Sequence, residues 1–292
     1  MKPRSRRSIL LLVGGSVVLV LAALTALGIY REPATTPPGT MAGAPGQPGE
    51  HDEQVLLEGG CFAMGRPDGR VGETPVHRVC VASFLLDLHE VTVAQYRRCR
   101  EAHACGEPGR ALQQRGCTWE GKDSEDLPVT CVTWFDANGY CRFVGRELPT
   151  EAQWEFAARG PEGSAHPWGD ASADCSRAVY SERYGTCKHR TPQAVCSRPA
   201  GRNPAGVCDL VGNAWEWVRD VYDLDFYARA PQQDPVALEG GRMRVVRGGG
   251  YDTEPEFLHA AYRACHSPLA KPPGVGFRCA APITPAIPAP GR

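Results

Sequence analysis

RELPTEAQWEFAARG, residues 146–160, is the stretch from which the rest of the chain is read. Thr150 stands three residues before Gln153, the spacing at which a hydroxyl caps a helix and an amide side chain reaches back to the cap's own N–H. Trp154, Ala157 and Ala158 then fall on one face, so a helix from Glu151 to about Arg159 is expected, buried along one side. The same device recurs upstream, with Thr92 before Gln95 and Thr133 before Asp136. These predict helices from Val93 to about Arg100 and from Trp134 to about Val144. The apolar runs Val79–Leu86 and Met243–Val246 read as strands.

Outside these elements the chain is punctuated by turns. Its 292 residues include 33 Gly and 26 Pro, which predicts a loop-rich α+β fold with little regular secondary structure. The formal net charge of -1 gives bulk electrostatics no hold on a nucleic acid, so no nucleic-acid partner is expected. A G-x-S-x-G elbow and a P-loop are both missing, which removes the usual hydrolase and nucleotide readings.

At the N-terminus, residues 1–8 are basic and precede an uncharged, mostly apolar run, 9–29, long enough to span a hydrocarbon layer of ~30 Å. The basic side stays in the cytoplasm, so the expectation is a single-pass signal anchor with the remainder outside. The alternative is a cleaved signal peptide, with Ala26-Leu27-Gly28 as the cleavage site and a secreted or periplasmic product. Residues 30–54 form a flexible Pro/Gly linker, 55–282 one domain, and 283–292 a disordered tail.

Thirteen cysteines lie between Cys61 and Cys279 with no C-x-x-C pair, which in an exported chain reads as a disulfide framework. Cys61 with Cys80, Cys175 with Cys187, and Cys196 with Cys208 each flank a turn-rich segment and are expected as local pairs. The odd count leaves at least one thiol free or paired outside the chain. The pairing of Cys99, Cys105, Cys117, Cys131 and Cys265 stays open.

Several segments in one order carry a family resemblance: GGCFAMG (59–65), HRVCVASFLLDLHEVTVAQYRRC (77–99), LPVTCVTWFDANGYC (127–141), RELPTEAQWEFAARG, HPWGD (166–170), CDLVGNAWEWVRD (208–220), VVRGGGYD (245–252) and GVGFRCA (274–280). Together they resemble the formylglycine-generating enzymes, or sulfatase-modifying factors. The resemblance implies a single irregular C-type-lectin-like domain with bound calcium. In the enzymatic members, copper(I) held by two thiolates and molecular oxygen convert a sulfatase cysteine to formylglycine; soft copper(I) suits thiolates.

Carried over residue by residue, the resemblance implies a Cys141–Cys279 disulfide. It implies a calcium site from Asp209, the carbonyls of Gly212 and Ala214, and Glu216, whose oxygen donors suit a hard cation. Without the ion, Asp209 and Glu216 would serve to cap turns. The copper-ligand positions fall on Thr253 and His259, with Cys265 the nearest thiol, so copper does not carry over. Trp215, Gly250, Tyr251 and His259 remain as pocket residues. Arg263 and Arg278 are expected to hold the fold by pairing with carboxylates. Two readings follow: a non-oxidising module that recognises an extended peptide or protein, and an oxidase with a rearranged metal site using His259 and Cys265.

Overall fold

The computed structural model describes residues 53–181, 187 and 189–283. All fall in one compact unit, Ala44–Arg292. The expected anchor, nearly all of the linker, and the tail after residue 283 lie outside the described residues. Among the described residues, no helix is long and apolar enough to cross a membrane.

The order along the chain begins with β1 (Gln54–Leu57), β2 (Gly60–Met64), β3 (His77–Val81) and β4 (Phe84–Asp87). Three helices follow: α1 (Val93–Glu101), α2 (Trp134–Phe143) and α3 (Glu151–Arg159). The second half holds β5 (Trp215–Val221), α4 (Phe226–Arg229), β6 (Arg244–Arg247), β7 (Arg263–His266), β8 (Val275–Phe277) and β9 (Ala280–Pro282). They form a three-stranded sheet in the order β1-β4-β9, a β2-β3 hairpin, and a four-stranded sheet in the order β7-β6-β5-β8. Of these strand pairs, β5 and β8 run parallel and the others antiparallel.

All three expected capping boxes are present. Thr92, Thr133 and Thr150 each accept the N–H three residues on and are bonded in return by Gln95, Asp136 and Gln153. The run Val79–Leu86, expected as one strand, is two. It breaks at Ala82-Ser83, where the Ala82 N–H donates to Asp234 (2.7 Å) and the Ser83 hydroxyl accepts from the Gly59 N–H (2.8 Å). The chain thereby leaves the hairpin and enters the other sheet.

The four-stranded sheet is buried on both faces, because successive strand residues point to opposite sides. Val218 and Val245 join a core cluster with Trp154 and Phe156 of α3 and with Phe62 and Leu86. Their neighbours Trp217 and Val246 join a second cluster with Tyr96 of α1, Tyr140 of α2 and Phe277. Between helix and sheet lies a buried ionic layer. Arg247 bonds Glu151 (2.7 Å) and Glu155 (2.5 Å), and Arg263 makes a two-point contact with Glu151 (2.6 and 2.8 Å). Arg278 grips Glu216 with two bonds of 2.7 Å. Arg263 and Arg278 thus play the expected structural part. Such pairs persist without water only when nearly every donor and acceptor is matched.

Six disulfides staple the loops: Cys61–Cys80, Cys99–Cys105, Cys117–Cys131, Cys141–Cys279, Cys175–Cys187 and Cys196–Cys208. They include the three local pairs read from spacing and the one implied by resemblance. Cys265 is the free thiol.

Candidate functional site

The glycine run leaves β6 and turns sharply. Gly248 has φ +94, and a Cβ there would meet the Leu210 carbonyl at 3.0 Å and the Trp154 ring at 3.1 Å, so only glycine fits. A Cβ on Gly250 would lie 3.0 Å from Cδ1 of Trp215. The turn is closed by Thr253: its hydroxyl accepts from the Gly250 N–H (2.8 Å), and its own N–H donates to the Gly250 carbonyl (2.9 Å). Thr253 is buried, and its hydroxyl is committed to holding the loop. Tyr251 is also buried, its N–H bound to the Asn213 carbonyl (2.8 Å) and its ring laid against Gly116 and Gly274.

His259 lies elsewhere on the same loop. With Arg66, Asp68, His166, Asp170 and Glu256 it lines a cleft of about 490 Å³. Its ring meets Tyr262 edge-on at 5.8 Å, and Tyr262 in turn lies 5.7 Å from Trp215. Trp215 and His259 are therefore joined through one tyrosine. Burial first, then the charges of Arg66 and Arg247, push the His259 imidazole down to about 4, so it is neutral at physiological pH. Its buried Nδ1 has no partner among the described residues. His166, which the sequence alone did not single out, also has an Nδ1 with no partner among the described residues, while its Nε2 faces the Leu258 carbonyl at 3.0 Å.

Cys265 does not line this cleft. It sits on β7 opposite Val245, beside Arg263 and Tyr222, and burial pushes its thiol up. A wider apolar groove of about 820 Å³, lined by Phe156, Pro161, Trp168 and Pro204 among others, contains none of the pocket or metal positions expected from the sequence.

The expected calcium residues occupy a turn built from left-handed backbone at Asp209 (φ 57), Gly212 (φ 90) and Asn213 (φ 62). Asp209 accepts from the Cys196 N–H (2.6 Å), and Glu216 accepts from Arg278 and from Nε1 of Trp154 (2.9 Å). Ala214 is buried between them. A third carboxylate, Glu90, accepts from the Asn213 side-chain amide (3.1 Å) with one oxygen, while its buried Oε2 has no partner among the described residues. Burial, then the negative charge of Asp209, holds Glu90 well above the usual carboxyl range; burial also raises Asp209. Three buried carboxylates thus share the charge of Arg278. Oxygen donors of this kind suit a hard cation, but both Glu216 oxygens are already taken by Arg278, and the orphaned Glu90 oxygen marks where positive charge is short. The sulfurs of Cys196 and Cys208 lie near the Asp209 carboxylate, but as halves of a disulfide they offer no thiolate. Nothing local in the sequence tied Glu90 to this turn, since its partner Asn213 is 123 residues away.

Residues 40–283 match the sulfatase-modifying factor enzyme 1-like domain family. A formylglycine-generating enzyme of Streptomyces coelicolor is 32% identical, over 78% of this chain and 88% of that protein. Serine/threonine-protein kinase pkn1 of Chlamydia pneumoniae is 36% identical over 78% of this chain. The match covers only 38% of that kinase, so this chain spans well under half its length. Among solved structures, PvdO from Pseudomonas aeruginosa superposes with a TM-score of 0.66 at 23% identity, covering 79% of this chain and 94% of PvdO. At that identity the likeness speaks for the fold alone.

Proposed function

This chain belongs to the sulfatase-modifying factor enzyme 1-like domain family, and from that premise we propose that it is a non-oxidising member, a disulfide-stapled domain that recognises an extended peptide or another protein. The observation that carries this reading is the state of the thiols. Twelve of the thirteen cysteines are in disulfides, which leaves Cys265 alone. A two-thiolate copper(I) centre cannot be assembled from one thiol, and the positions that resemblance assigns to the ligands hold a turn-closing threonine and a histidine. The residues present do not fit copper bound in that manner.

What the chain keeps is a rigid wall: Gly250 against Trp215, Tyr251 pinned by Asn213, and the aromatic path from Trp215 through Tyr262 to His259. Aromatic rings packed edge-on and tilted beside a cleft holding both guanidinium and carboxylate groups suit a peptide, whose backbone supplies both donors and acceptors. Calcium at Asp209, Gly212, Ala214 and Glu216 would be structural, offsetting buried negative charge and fixing the turn that leads to Trp215, and Glu216 would have to share its carboxylate between the ion and Arg278. Residues 9–29 serve in this proposal as a membrane anchor, holding the domain outside the cytoplasm. The dense disulfides support that placement, because they persist in oxidising compartments.

The test is mass spectrometry of a C-x-P-x-R peptide incubated with the purified protein, copper(I), reductant and oxygen. The Streptomyces coelicolor formylglycine-generating enzyme runs in parallel. The expected result is an unchanged thiol where the control yields the aldehyde. Conversion by this chain would replace the proposal with the oxidase reading and direct attention to His259.

A further inference from the structure

We propose that a small pocket between α2, β5 and β6, separate from the loop described above, binds a tetrahedral oxyanion, a phosphoryl or sulfuryl group. The pocket, about 190 Å³, is lined by Arg142, Arg219, Arg244, Glu147, Trp134 and Leu238 together with Asn138. Three guanidinium groups from three different elements meet a single lining carboxylate. Like charges gathered in one cavity repel, and a bound anion relieves that repulsion.

The backbone accounts for the convergence. The pairing of β5 with β6 shifts register between Trp217 and Val221. Such a bulge interrupts the ladder and re-aims side chains. The carbonyls within it find other donors: Val218 accepts from Nε1 of Trp134 (2.8 Å), and Arg219 accepts from Nη1 of Arg244 (2.6 Å). The Arg244 guanidinium also lies over the Trp134 ring at 4.0 Å. Stacking and one hydrogen bond therefore fix Arg244 in place while using one of its five N–H groups. The acidic group it senses is Asp220, whose carboxylate accepts from the amides of Glu151 and Ala237 instead.

Arg219 is bonded to Glu147 at 2.7 Å on the exposed rim, with both side chains well solvated. Such a pair contributes little and exchanges easily. Arg142 projects from the last turn of α2 without an ion pair among the described residues. The pocket thus has one rigid guanidinium, two adjustable ones, and a carboxylate that an incoming anion would displace from Arg219. Leu238, 55% exposed, leaves an apolar shoulder beside the charges.

The experiment is calorimetric titration of the full chain at low ionic strength with inorganic phosphate and, separately, phenyl phosphate. The expected result is one site whose affinity falls with added salt. Arg142→Gln should weaken it about tenfold, the loss of a charge-assisted bond, while leaving the melting temperature in phosphate-free buffer unchanged. Glu147→Gln should tighten it, which no merely structural role of Glu147 would produce. Tighter binding of phenyl phosphate than of phosphate would assign the oxyanion to an organic monoester seated on Leu238; equal binding would assign the free ion. No heat of binding with either probe, or binding indifferent to both substitutions, would overturn the proposal.

Discussion

An imidazole half-buried in a cleft wall and set near Arg66, Arg247 and His166 gives up its proton readily, and this is the situation of His259. Its proton affinity falls from the ordinary 6.5 to about 4. Between those values the unfolded chain binds the proton and the folded one does not. The contribution to stability is therefore complete above pH 6.5 and is lost as pH falls from 6.5 through 4. The C2 proton resonance of His259 should titrate with a midpoint near 4, and His259→Phe should flatten the acid limb of the stability curve over that interval. A midpoint near 6.5 would mean that the cleft is wet. At this scale the sequence was partly legible. Arg263 and Arg278 could be assigned to carboxylates, but not to which ones, because Glu151 lies 112 residues from Arg263 and Glu216 lies 62 from Arg278. Thr253 and His259 could be located, but not the inward bond of the one or the separate cleft of the other.

Helices fixed by contacts three residues apart were read closely, and the strand at Met243–Val246 was read to within a residue, but the break inside Val79–Leu86, fixed by distant contacts, was not. The cap at Thr150 belongs to the first kind, with its hydroxyl accepting from Gln153 at 3.1 Å and the Gln153 side chain accepting in return at 2.9 Å. Thr150→Ala should cost about 1 kcal/mol, seen as a melting temperature lower by roughly 2–4 °C for a domain of this size, whereas Thr150→Ser should change little. A larger loss would show that the threonine methyl packs as well as caps. The break at Ala82-Ser83 belongs to the second kind. Its cause is Asp234, 152 residues on, which no local pattern foreshadows.

Across the whole molecule, the two faces of the four-stranded sheet gather two cores that share β5 and β6. Glu90, Asp209 and Glu216 lie beside that junction, so occupation of the proposed calcium turn should be felt globally. Calcium at about a hundred times its dissociation constant would add about 2.7 kcal/mol, read as a higher melting temperature that a chelator reverses. Asp209→Asn should abolish the calcium-dependent rise. A melting temperature insensitive to calcium in the unsubstituted chain would leave Arg278 as the sole compensating charge. The turn itself could be singled out through family resemblance, as an expected ligand set. Its excess of buried carboxylate was not, because burial is a property of the assembled cores.

The first sheet is completed by the last strand. β4 waits for β9, and the side chain of Asp87 accepts the Cys279 N–H across 192 residues. Ribosomes deliver roughly 5–20 residues each second, so roughly 10–40 s separate the birth of these partners. Throughout most of that interval the Cys141 thiol has no lawful mate, since Cys279 follows it by 138 residues. Other thiols made just before it, Cys117 and Cys131 among them, are within easy reach of a disordered chain. Nascent molecules therefore pass through a window in which wrong bridges can form before the right one, and a thiol–disulfide exchange catalyst is expected to raise the yield of correctly bridged product.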